Sequence, residues 1–154
     1  MICFSLLTEM CCMIDVKIVS FEHNKTSIRF IRNTVFSGEQ GIDPELDFDG
    51  SDPAAIHALA TSDGSAVGTG RMLEDGHIGR VAVLSRYRGR GVGVEIVKCL
   101  IAEAAKGDCP RVYLGAQKQA CNFYEKLGFN RYGDVYTEVD IEHVLMEKIL
   151  EDHD

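Results

Sequence analysis

Within SRYRGRGVGVEIVKCLI, residues 85–101, three arginines and three glycines fall in eight residues, and a helix pattern follows at once. The first N–H groups of a helix have no internal partner, and the helix dipole adds positive potential at that end. Gly89, Gly91 and Gly93 allow positive φ angles and close approach of a ligand to the backbone. Together these features describe an anion site, with phosphate as the natural class. A P-loop needs a Lys-Ser or Lys-Thr pair after its glycines, and none is present. A dinucleotide fingerprint needs G-x-G-x-x-G, but the last position is Val94 counting from Gly89 and Ile96 counting from Gly91. R-x-x-G-x-G is satisfied by Arg88, Gly91 and Gly93. Taken alone, the turn reads equally well as a tight bend with solvent-facing arginines.

The flanking sequence supplies elements to position that turn. Residues 14–21 alternate apolar and polar and predict a strand. Ile28, Ile31 and Val35 predict an amphipathic helix over 26–37, followed by a Gly-, Pro- and Asp-rich loop. Runs at 55–61 and 66–73 flank a Ser-Asp-Gly-Ser turn and predict a hairpin, with a third strand at 77–84. The helix after the glycines runs to about Lys106, where Gly107 and Pro110 end it. A strand at 111–116, a short helix carrying Ala120, Phe123, Tyr124 and Leu127, and strands at 131–138 and 141–149 complete the chain. This order predicts an α/β (α+β layered) fold in one domain over 14–154, with residues 1–13 as a flexible lead-in.

At 154 residues the chain is long enough for one real hydrophobic core. A net charge of −8 argues against nucleic acid or an anionic membrane as the partner. The six cysteines contain no C-x-x-C pair and no zinc-site spacing, which reads as reduced thiols in a cytoplasmic protein without a metal. The mildly apolar start, residues 1–13, lacks a basic region and is too short to span a bilayer. The acidic run 43–52 fails as a calcium loop, because the sixth position from Asp47 is Asp52 and the twelfth is Ala58. Its default reading is a solvated loop. His57 reads as a core or pocket-wall histidine.

The glycine turn after a central strand, together with FYEKLGF (123–129), resembles the GNAT superfamily of N-acetyltransferases, which use acetyl-CoA. VFSGEQG (35–41), IGRVAV (78–83), VYLGAQ (112–117), NFYEKLGF (122–129) and IEHVLM (141–146) are similar, in order, to its small bacterial ElaA-like subgroup. One departure is Asp140-Ile141-Glu142-His143, where that subgroup usually has Gly-Ile-Pro-His. The resemblance implies a mixed, mostly antiparallel central sheet of about six to seven strands flanked by helices. It also implies acetyl-CoA as co-substrate and a small-molecule amine as acceptor, and it leaves a homodimer open.

Residue roles follow from the same resemblance. Gly89, Val92, Gly93 and Val94 with Gly91 would bind pyrophosphate through backbone N–H groups, Arg88 and Arg90 adding charge. Val81, Ala82 and Val83 would offer a strand edge to the amide-bearing pantetheine arm, and Asn122 falls among the cofactor contacts. Tyr124 would be the acid at the departing thiolate, unless it is core with a satisfied hydroxyl. His143 would be the base, or a structural histidine. Arg80 and Arg71 alternate with apolar residues and would hold an anionic acceptor group, or form surface ion pairs. Gln117, Gln40 and Glu39 match subgroup positions lining the pocket. The competing readings are a non-catalytic acyl-CoA sensor and a protein-modifying acetyltransferase.

Overall fold

The computed structural model describes residues 13–150, so the expected lead-in, Met13 apart, and the cysteines at 3, 11 and 12 lie outside the described residues. Seven strands form two antiparallel sheets. The first is ordered β1 (Ile14–Val19), β2 (Ile56–Ser62), β3 (Ser65–Met72), β4 (Ile78–Val83). The second is ordered β5 (Arg111–Gln117), β7 (Ile141–Ile149), β6 (Asn130–Glu138). The expected layered fold is what forms, but the sheet is divided. A single parallel bridge, His77 to Tyr113, links the two halves. Beyond it no ladder pair joins β4 to β5 among the described residues.

Alternation along β2 explains the two-sided core. Ala58 and Ala60 face the helix α3 (Val92–Lys106), while Leu59 faces the helix α1 (Phe21–Arg32) with Ile28 and Ile31. In β3, Gly68 and Gly70 let α3 approach the sheet. An added Cβ would come within 2.9 Å of Ile96 at Gly68 and 2.8 Å at Gly70. Val97, Leu100 and Ala104 continue the buried stripe of α3, and the N–H of Gly107 closes it on the carbonyls of Glu103 and Ala104.

Two differences from expectation matter for the site. The first helix starts at Phe21 and does not stop at 37. It changes to π-helical turns over Asn33–Glu39, with the Gln40 N–H donating to Val35 O at 3.2 Å. π-turns insert an extra residue per hydrogen-bonded turn and collect at functional sites. This one buries Val35 yet turns Phe36 and Gln40 into a cavity. The acidic run is not a solvated loop either. It contains α2 (Pro44–Asp47), and Asp47 and Asp52 are buried.

Candidate active site between the sheets

Where β4 and β5 part, two cavities open. One, of about 620 Å³, runs along Val81, Ala82 and Val83 to Gly89, Gly91, Val92, Gly93 and Val94. The other, of about 350 Å³, lies between β4, β5 and the β6–β7 hairpin. Gln40, Val81, Ala120 and Tyr124 line both. The second cavity is capped by a side-chain bridge: Gln117 Nε2 donates to Gln40 Oε1 at 2.9 Å.

The larger cavity ends on the glycine turn. Gly89 has φ +75° and Gly91, the N-cap of α3, has φ +79°. Both conformations favour glycine, and both positions have open space where a side chain would stand. Gly93 lies in the helix, where an added Cβ would come within 3.4 Å of the Phe123 ring. The unpartnered N–H groups of a 15-residue helix thus face a cavity long enough for an extended, phosphate-bearing ligand. These residues fit an acyl-CoA.

The arginines are arranged differently from expectation. Arg88 lines the cavity, but its Nε donates to Val83 O at 2.9 Å and its Nη2 pairs with Glu39 at 2.7 Å. It straps β4 to the π-turn. Arg90 and Asn122 do not line the cavity; the Arg90 guanidinium lies 5.8 Å from the Tyr87 ring centre.

β4 carries a bulge at the point where the cavities meet. Thr69 pairs with Ala82 and Arg71 with Gly79, so Arg80 and Val81 together oppose Gly70. Arg80 takes the extra place with φ +51°, a left-handed conformation that costs a side-chain-bearing residue about 1 kcal/mol or more. Its guanidinium is held by Asp47 Oδ1 at 3.0 Å and Asp49 Oδ2 at 3.3 Å.

Those carboxylates belong to a buried network. Arg32, 1% exposed, pairs with Asp47 at 3.1 Å and Asp52 at 2.7 Å. Arg71, 4% exposed, pairs with Asp49 at 2.7 Å and Asp52 at 3.0 Å. Arg71, expected to hold an anionic acceptor group or form ion pairs, is absent from the wall of either cavity and makes these ion pairs. Arg80 does line the smaller cavity, but its charge is already matched. The Arg71 hydrogen bond holds Asp49 well below the usual carboxylate range. Burial raises Asp52, and hydrogen bonds from Arg32 and Arg71 overturn that, leaving it below its ordinary value. His57 is buried beside them, its Nε2 donating to Asp52 O at 2.8 Å, and burial pushes its pKa down. Arg32 escaped the sequence reading, although it sits beside Ile31 on the apolar stripe and thereby marked a buried cation in need of partners.

The two expected chemical residues come to the same gap. Tyr124, on α4 (Cys121–Lys126), is half-buried and its hydroxyl has no hydrogen-bond partner among the described residues. Its ring packs against the core, on Phe123 and Phe129. Burial pushes its phenol up to about 12, so it stays protonated at neutral pH. His143, on β7, lies in the smaller cavity. Its Nδ1 donates to Ile141 O at 2.7 Å, which leaves the lone pair on Nε2. Gln117 and Gln40 also line this cavity.

A divided sheet, a bulge at the division and a glycine-opened helix facing it are the combination the comparisons bear on. The acetyltransferase (GNAT) domain pattern matches residues 44–150. The chain belongs to the GNAT acetyltransferase family. A Bacillus subtilis relative named as an acetyltransferase is 36% identical over 140 residues, covering 87% of this chain and 95% of that protein. Escherichia coli ElaA superposes with a TM-score of 0.79 at 29% identity, over 88% of this chain and 99% of ElaA. An acyl-CoA N-acyltransferase from Pseudomonas aeruginosa superposes at 0.78 with 28% identity, over 88% and 99%. As a GNAT protein the chain is an enzyme of the acyltransferase class, with an acyl-CoA as co-substrate. Among the described residues no helix is long and apolar enough to cross a membrane.

Proposed function

We propose that the chain transfers an acetyl group from acetyl-CoA to the primary amine of a small-molecule acceptor by direct attack on the thioester. The observation that carries this reading is the place of Tyr124, which lines both cavities. The bound thioester supplies the activated acyl group. Backbone N–H groups from Gly89 to Val94 hold the pyrophosphate, and Arg88 adds charge beside them. Arg90 acts from the outer side of the turn. Val81, Ala82 and Val83 offer backbone to the amide-bearing arm.

Transfer forms an N–C bond and breaks a C–S bond. His143 Nε2 accepts the proton that the amine loses, and Tyr124 donates a hydrogen bond, then its proton, to the departing sulfur. Holding both reactants across a gap lined by shared residues supplies the remaining advantage. The free thiols of Cys99, Cys109 and Cys121 accord with action in the cytoplasm.

The test is thiol release from acetyl-CoA across a panel of primary amines. Tyr124→Phe keeps the ring and removes the proton, and kcat is expected to fall by about 100-fold or more. In His143→Ala the acidic limb of the kcat/KM profile is expected to disappear. Wild-type kcat in the first variant, or an intact limb in the second, would refute that residue's role. Absence of thiol release with every amine would refute acetyl transfer.

A further inference from the structure

The smaller cavity has a chemistry of its own. Its lining includes ring faces and aliphatic carbon: Phe36 from the π-turn, Ile42 before β2, Ile78 on β4, and Ile141 and Leu145 on β7, with the exposed Leu46 at its edge. Two stacked ring pairs stand on this wall. The His77 and Tyr113 rings lie 4.8 Å apart and 9° from parallel, and the Tyr136 and His143 rings lie 5.6 Å apart at 25°. Tyr136 reaches this place because β5 has Gly115 beneath it; a Cβ there would overlap the phenol oxygen.

The charges of the wall are already settled. Asp47 and Arg80 pair with each other, and Asp47 is shared with Arg32. The His77 pKa is lowered, first by burial, against the raising charges of Asp75 and Glu138. His143 holds its Nδ1 on Ile141 O, which leaves Nε2 for the acceptor. Glu138 is exposed at the rim and makes no ion pair among the described residues. Within the cavity no cation is left to receive an acceptor's carboxylate. An unmatched charge brought into such a wall loses its water without compensation.

We infer that the acceptor is a primary amine carried on an aryl-alkyl body, its ring stacking against the aromatic pairs of this wall and its nitrogen directed to His143. This rests on the acetyl-transfer reading and names its substrate class. The apolar wall disfavours the ammonium form, so the amine reaches the thioester neutral, as attack requires. The cavity volume, at the low end for small-molecule sites, sets the size.

Four probes separate the candidates with acetyl-CoA saturating: phenethylamine, n-hexylamine, phenylalanine and spermidine. Phenethylamine is expected to have the highest kcat/KM, about tenfold or more above phenylalanine and spermidine. Equal or better use of any of the other three overturns the inference. Gly115→Ala, which displaces the Tyr136 phenol from this wall, is expected to raise KM for phenethylamine about tenfold while leaving KM for acetyl-CoA in place. Tyr136→Leu is expected to erase the preference for phenethylamine over hexylamine. If either variant does not fold, the wild-type ranking decides alone. If no amine releases thiol, acetyl transfer itself has failed. Calorimetry of the same four amines on the CoA-saturated protein then ranks the cavity: phenethylamine tightest sustains the inference, and any other order overturns it.

Discussion

Arg80 Nε lies 3.0 Å from Asp47 Oδ1, and this contact ties the acidic segment to the residue of β4 with left-handed backbone. The strain of the bulge and the burial of the carboxylate each answer the other. The bulge sets the backbone at Val81, which lines both cavities.

Arg80→Gly and Arg80→Ala separate the two contributions. Both lose the ion pair, but glycine keeps the left-handed conformation without steric cost. Arg80→Gly is expected to be about 1 kcal/mol more stable than Arg80→Ala and to retain more activity. Chemical unfolding of both variants checks this. Equal stability would mean that position 80 carries no left-handed backbone cost once the ion pair is gone.

Arg32 is the buried cation of the network. Arg32→Met leaves Asp47 and Asp52 partly uncompensated and is expected to cost about 3–5 kcal/mol. Melting temperature should fall by roughly 10 °C. Adding Asp47→Asn is expected to recover part of that loss, because the stranded charge is then gone. A double variant no more stable than Arg32→Met would reject the ion-pair account.

Stability is expected to fall with acid in two stages. His57 and His77 have lowered pKa values when folded, so the unfolded chain takes up protons first as pH drops below about 6.5. Asp49 and Asp52 are also lowered when folded, and their contribution is present above about pH 4 and lost below it. Urea unfolding between pH 8 and pH 3 should show a shallow decline, then a steep one. A flat profile from pH 6.5 down to 5 would contradict the buried neutral histidines.

Gly91→Asp puts a side chain at φ +79° and a negative charge at the helix start. Calorimetry with acetyl-CoA should show affinity reduced by at least 100-fold, since both the backbone conformation and the anion site are lost. The fold should survive, because nothing lies within 4 Å of an added Cβ. Unchanged affinity would remove the glycine turn from the proposed binding site.

Much of this was legible in order along the chain. The glycine turn, the strand sequence, and the helix carrying Tyr124 are local features, and the divided sheet realised each of them. The π-turn was not legible, because Ile28, Ile31 and Val35 fit an ordinary helix and nothing in the spacing marks the change of hydrogen-bond register. The acidic segment misled. Its composition looks solvated, yet Asp47 and Asp52 turn inward to arginines that lie 15 to 33 residues away in sequence.

The sequence alone determined the backbone logic: where glycine permits a left-handed turn, where a helix starts, and which ligand group its bare N–H groups attract. Those are short-range consequences of residue type. Tertiary structure alone decided which arginines remained available, because a charge is free or matched only by what the fold brings beside it. It also decided the acceptor wall. Tyr136 and Gly115 lie on different strands with β7 between them, and only the sheet order lays the ring of one over the missing side chain of the other.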